Sequence, residues 1–133
     1  MSKVVTLSEA ASIGLHGMIL IAKAENEMVN VLKIAELTGS SKHHVAKVFQ
    51  RLVKIGLLNS FRGPNGGFSL RKKANEISLL EIYEGIEGEI QISDCPMDHK
   101  ICAFGKCILD NVTNKMTIQF KEFLQSQSLK DYL

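Results

Sequence analysis

Cys95, Cys102 and Cys107 crowd into one short stretch of the chain. The N-terminal Met1-Ser2-Lys3 leads into a mixed segment with Glu9 and His16 rather than the apolar core of a secretory signal, so a disulfide scaffold is not expected. Three thiolates on one segment can converge on a soft metal ion or an iron–sulfur cluster, leaving one coordination position for a different residue. Asp110, one helical turn beyond Cys107, is a candidate for it. His99 is another, and Glu9 could approach from a partner chain. The spacing is neither the paired C-x-x-C of a zinc ribbon nor a ferredoxin run. The plainer reading is three reduced thiols that hold nothing.

A second chemistry is written in charge. The chain carries 16 Lys and Arg against 14 Asp and Glu, and a net charge of +2 names no partner. The distribution is less even. From Ser40 to Asn75 stand Lys42, Lys47, Arg51, Lys54, Arg62, Arg71, Lys72 and Lys73, with no acid among them. From Glu76 to His99 stand seven acids and no Lys or Arg. Such a basic block is the footprint expected of a polyanion-binding surface, or else simply a solvated face.

The elements that must carry these residues are mainly helical. Ser8 can cap a helix running to about Ala24, with Ala11, Leu15, Met18, Ile19 and Ala22 at helical spacing. His16 falls among them and reads as a core or interface histidine. Asn30 caps a short helix that Gly39 closes. Ser41 caps a third, ending before Gly56. Its apolar Val45, Val48, Phe49 and Leu52 recur at i, i+3, i+4 and i+7, which leaves Lys42, His43, Lys47, Gln50, Arg51 and Lys54 mostly outward. Strands are expected over Leu57–Arg62 and Gly67–Arg71, around the turn Gly63-Pro64-Asn65-Gly66. Ser78-Leu79-Leu80-Glu81 is a capping box, stapled by Ile77 and Ile82, for a helix that stops at Gly88. A last helix is expected from about Leu109 to Gln127, with Val112, Met116, Phe120, Phe123 and Leu124 on one face.

Ala35, Gly39 and Val45 supply the small residue, the turn and the anchor of a helix-turn-helix. The second helix would offer its first residues to a major groove, and the Gly-rich hairpin would be a wing. Lys42, Lys47, Arg51 and Arg62 are expected to touch phosphates or bases, with Ser40 and Ser41 near the backbone. His43 and His44 could read bases or contact phosphate. Pro64, Asn65 and Gly66 form the tip of the wing.

The wing Arg62-Gly63-Pro64-Asn65-Gly66-Gly67-Phe68-Ser69-Leu70, the Ser78-Leu79-Leu80-Glu81-Ile82 helix ending in Glu87-Gly88, the cysteine trio and the long last helix resemble the IscR/NsrR family. These are the bacterial "Rrf-two" transcription regulators. The resemblance runs from about Val4 to Phe123. It implies a homodimer joined through the C-terminal helices on a near-palindromic double-stranded DNA operator. It also implies an iron–sulfur cluster, 2Fe-2S or 4Fe-4S, on Cys95, Cys102 and Cys107, sensing iron–sulfur status, nitric oxide or redox state. The family spaces its cysteines evenly, five residues between each pair. Here the gaps are six and four. IscR-like members carry a ligand His three residues after the last Cys, where this chain has Asp110. NsrR-like members use an acidic residue near the N-terminus, close to where Glu9 aligns.

The expected architecture is therefore mainly α. It comprises a winged helix-turn-helix DNA-binding unit over residues 1–88, a cluster-binding cysteine segment over 89–108, and a dimerisation helix and tail over 109–133. The alternative is a cluster-free, thiol-based or metal-binding regulator. No paired carboxylates, phosphate loop or nucleophile–base arrangement suggests an enzyme. No apolar run approaches the ~18 residues of a membrane span, and a cytoplasmic location is expected.

Overall fold

The computed structural model describes residues 1–93, 95, 97 and 104–133. Ser8 accepts the Ala11 N–H and starts α1, Glu9–Lys23. Asn30 accepts the Lys33 N–H and starts α2, Val31–Thr38, which ends on Gly39 in the left-handed conformation. Ser41 accepts the His44 N–H and starts α3, Lys42–Lys54. Strands β1, Leu58–Phe61, and β2, Gly67–Leu70, pair antiparallel in the register Leu58↔Leu70 to Phe61↔Gly67. A 3-10 turn, Ala74–Glu76, leads to α4, Leu79–Glu87, and the described part closes with α5, Val112–Ser126, and a 3-10 turn, Leu129–Tyr132. The mainly helical winged fold matches the expectation.

The core gathers between α1, α2, α3 and the wing. Ile13, Met18, Ile21, Ile34, Val45, Phe49, Leu52, Leu58 and Ile82 are almost fully buried. Phe49 is the wedge. A Cβ at Gly17 of α1 would overlap its ring, so only glycine lets the two helices approach this closely. On its other side the ring meets Phe68 of β2, centroids 5.4 Å apart at 41°. A bridge from Val29 to Phe68 ties the segment before α2 to the same hairpin.

Several expectations change. Both strands are shorter than expected, because Arg62 already enters the turn and Arg71 leaves the ladder after one bond to the Leu57 carbonyl, 3.0 Å long. Ser78 does accept the Glu81 N–H, but the reciprocal capping box forms elsewhere, between Ser128 and Asp131. His16 is not in the core. It lies exposed on α1, its Nδ1 2.7 Å from the Ser12 carbonyl, which can only accept. The last helix starts at Val112, not Leu109. Asp110 and Asn111 adopt left-handed φ values of 49° and 58°, and the Asp110 N–H turns back on the Cys107 carbonyl.

The tail holds a feature that periodicity did not disclose. Residues after α5 return to the core instead of trailing from it. The Leu79 N–H donates to the Gln127 carbonyl, the Leu129 N–H to the Ile77 carbonyl, and Leu129 is fully buried. Replacing Leu129 with Ala leaves a cavity in that seat. It should cost about 2–5 kcal/mol of unfolding free energy, measurable by urea denaturation, and should loosen the C-terminal end of α5.

Candidate functional site

The outward side of α3 follows from its inward side. With Val45, Val48, Phe49 and Leu52 buried, His43, Lys47, Gln50 and Lys54 recur at i, i+4, i+7 and i+11 and stand exposed in one stripe. Lys42 and Arg51 are exposed beside it. Ser41 spends its hydroxyl on the helix cap, 3.1 Å from the His44 N–H, and Ser40 lies half-buried in the turn. On the wing, Arg62, Pro64 and Asn65 are exposed and Gly66 is half-buried. Gln50 is the residue most easily missed. It carries no charge, yet it shares the central stripe, and its amide can pair with both hydrogen-bonding groups of adenine.

The two neighbouring histidines separate. His43 projects with the stripe. His44 turns toward α1, where its Nδ1 lies 3.3 Å from Glu9 Oε1. Glu9 is therefore placed against α3 of its own chain. Beside it the Ser8 hydroxyl donates to the Glu87 carboxylate, so the start of α1 is joined to both α3 and α4.

Contiguous basic sequence does not make one basic surface. Lys72 lines a groove with Glu81, Glu84 and Glu89, next to Ile55 and Leu57. The basic face proper is the α3 stripe with the wing. Hairpin geometry returns the chain past β1 and carries residues 71–73 away from the tip.

Of the cysteine segment, Cys102 and His99 lie outside the described residues. Cys95 and Cys107 are half-buried free thiols. Cys107 sits one turn before α5, and the Asn111 and Leu109 amides, aided by that of Asp110, hold its thiol below the ordinary cysteine range. That is the chemistry of a soft-metal donor, so Cys107 suits the cluster the resemblance implies. Asp110 is exposed in the same turn. Among the described residues no three His, Cys, Asp or Glu side chains converge on one point.

The face expected on α5 divides. Leu124 is buried and Phe120 meets Tyr83 of α4 edge-on, centroids 5.5 Å apart. Burial there, with the Glu87 carboxylate nearby, pushes the Tyr83 phenol up. Val112, Met116 and Phe123 remain exposed, as do Ile108 and Leu109 just before the helix.

Winged helix, exposed basic stripe on α3 and a cysteine segment before a half-covered helix are the features of a DNA-binding type of regulator. The chain belongs to the Rrf2 family, described as iron-dependent transcriptional regulators, which it matches over residues 7–133. It is 32% identical over 114 residues to the transcriptional regulator NsrR of Oceanobacillus iheyensis, covering 84% of this chain and 77% of that protein. NsrR of Bacillus subtilis is 29% identical over 114 residues, with 84% and 78% covered. Among solved structures, the B. subtilis global cysteine regulator CymR superposes with a TM-score of 0.78 at 25% identity, over 96% of this chain and 95% of that one. The oxidised form of Staphylococcus aureus CymR gives a TM-score of 0.73 at 28% identity, over 95% and 94%. The protein is thus a transcription regulator of this family, and its relatives are regulators rather than enzymes. Among the described residues no helix is long and apolar enough to cross a membrane.

The lowered Cys107 thiol has a direct readout. In metal-free protein carrying serine at positions 95 and 102, the iodoacetamide rate should rise with pH around a midpoint below that of the same cysteine in urea. A shared midpoint for folded and unfolded chain would show that the amides of the Cys107 turn do not stabilise the thiolate.

Proposed function

We propose that the protein is a homodimeric, operator-binding regulator whose DNA affinity is controlled by an iron–sulfur cluster on Cys95, Cys102 and Cys107. The observation that carries the cofactor is three cysteines in one segment of a chain whose family is described as iron-dependent, and the amides of the Cys107 turn add to it by favouring the thiolate. When bound, the cluster supplies a site of attack for nitric oxide or oxidant, most readily at an iron with a non-cysteine ligand. Asp110, Glu9 and His99 are the candidates for that ligand. Glu9 from the partner chain is the most consequential, because its carboxylate already pairs with His44 of the recognition helix. Were Glu9 to serve as that ligand it would no longer pair with His44, which would free a residue in the first turn of α3 beside the outward stripe. Such coupling needs different cluster affinities in the DNA-competent and incompetent states.

DNA contacts fall to Lys42, His43, Lys47, Gln50, Arg51, Arg62 and Asn65, with Ser40, Ser41, Pro64 and Gly66 shaping the backbone that approaches the duplex. The uncovered Val112, Met116 and Phe123 fit an isologous contact between two copies of α5. That contact sets the spacing of the two recognition helices, ~34 Å for adjacent major grooves. A cluster-free thiol regulator is the second reading. The same thiolate at Cys107 favours it, as does the likeness to CymR, whose oxidised form has been solved.

Four outcomes are expected. Lys47→Ala and Arg62→Ala should each reduce the slope of log affinity against log salt by about 1 per subunit, about 2 for the dimer. Unchanged slopes would move the interface elsewhere. Met116→Asp with Phe123→Asp should turn a dimer into a monomer in sedimentation at micromolar concentration, and a wild-type monomer would refute the α5 contact. Wild-type protein prepared without oxygen should carry iron and sulfide that Cys102→Ala lacks. Its apo and holo forms should differ about 5- to 150-fold in operator affinity. Equal iron in both proteins removes the cluster and leaves the thiol reading, which then requires reversible loss of DNA affinity on oxidation.

A further inference from the structure

An open groove of about 300 Å³ separates the first turn of α2 from the wing. Leu32 stands on the α2 side, Phe61 and Pro64 on the wing side, and backbone of Gly63, Gly66 and Gly67 lies between. A single exposed Leu or Phe is ordinary on a protein surface. Here Leu32 is 52% exposed and Phe61 46% exposed, and they line the same groove.

The groove is built before anything enters it. A Cβ at Gly66 would overlap the Phe61 carbonyl oxygen, and one at Gly67 would stand 2.6 Å from the Val29 carbonyl oxygen. The wing therefore lies against the segment that leads into α2. Two bonds lock it there: Val29 N–H to the Phe68 carbonyl, 3.1 Å, and Phe68 N–H to the Val29 carbonyl, 2.8 Å. The two sides of the groove cannot part without breaking that pairing.

Its lining contains no acid, since the remaining members are Asn30, Val31, Ser60 and Phe68. Lys33 is exposed one residue beyond Leu32, and Arg62 one residue beyond Phe61. A slot that sets Leu32, Phe61 and Pro64 among neutral polar groups, with cations at its rim, suits a polymer that is apolar at its sugars and anionic at its linkages. The groove also continues the wing surface assigned to DNA, with which it shares Pro64 and Gly66.

We propose that the α2–wing groove seats one sugar–phosphate strand of duplex DNA, with Leu32 and Phe61 packing on deoxyribose and Lys33 beside the adjoining phosphate. This rests on the operator-binding reading above. It adds a contact that neither the charge block nor the recognition stripe contains. The apolar part of that contact releases no counterions, so it strengthens binding to any sequence without adding to the salt slope. It also fixes where the wing lies across the strand, and hence where Arg62 points.

The test uses full-length dimer with two duplexes, one of arbitrary sequence and one selected from a random pool by the wild-type protein. Leu32→Ala and Phe61→Ala should each weaken binding to both duplexes by a similar factor, about 3- to 10-fold, as expected for losing a small part of the burial of two apolar side chains, one per subunit. The salt slope should stay at the wild-type value, unlike that of Lys47→Ala. Leu32→Met and Phe61→Leu keep an apolar surface and should restore most of the affinity. They also carry the test if an Ala variant fails to fold. Wild-type affinity in Leu32→Ala and Phe61→Ala overturns the proposal, as does a loss confined to the selected duplex, which would mean base reading. If the wild-type protein binds neither duplex, the operator-binding reading itself fails.

Discussion

The winged half of this protein hangs on one buried ring. Phe49 faces away from the recognition stripe, fills the space left by Gly17 and meets Phe68 of the wing. Helix α3 therefore cannot rotate about its axis without withdrawing Phe49 from α1. The wing cannot swing without losing Phe68. A packed interior resists both motions, because a gap of even a fraction of an ångström forfeits much of the dispersion energy of the atoms that line it. The exposed α3 stripe and the wing are thus held in one mutual orientation by a residue that never reaches solvent.

Around that wedge the charges are sorted by the turns of the chain rather than by their order in it. The α3 and wing cations share a face, while Lys72 ends among Glu81, Glu84 and Glu89. At the other end of the recognition helix, Glu9 sits against His44. A carboxylate there makes the first turn of α1 a neighbour of the residues proposed to face DNA. That closeness gives a physical route by which an event at Glu9 can be felt on α3. The Ser8–Glu87 hydrogen bond extends the same junction to α4.

Helix α5 is held asymmetrically. Its C-terminal end is anchored by Leu124 and by the returning tail, where Leu129 is buried and backbone bonds pair the tail with Ile77 and Leu79. Its other end begins at two left-handed residues next to the Cys107 turn and exposes Val112 and Met116. A rod fixed at one end transmits a disturbance at the other as a change of direction. In the proposed dimer that direction is what separates the two recognition helices.

The helices of the winged unit were legible from the sequence because their signals are local. Ser8, Asn30, Ser41 and Ser78 cap within one turn of themselves, and Val45, Val48, Phe49 and Leu52 repeat at the period of one face. The glycine turn of the wing and the cysteine trio were equally plain, since each is a matter of residue type at short spacing. The candidate site was legible as a set of residue types, but its arrangement was not. That His44 meets Glu9, that Lys72 leaves the basic face, that His16 is exposed and that α5 starts at Val112 all depend on contacts or backbone geometry that periodicity does not encode. The burial of Leu129 depends on residues some fifty positions away. Local hydrogen bonds and periodic burial can be read from neighbours in the chain. Which surface a side chain meets is decided only when distant segments pack together, because that choice minimises the free energy of the whole core rather than of any one element.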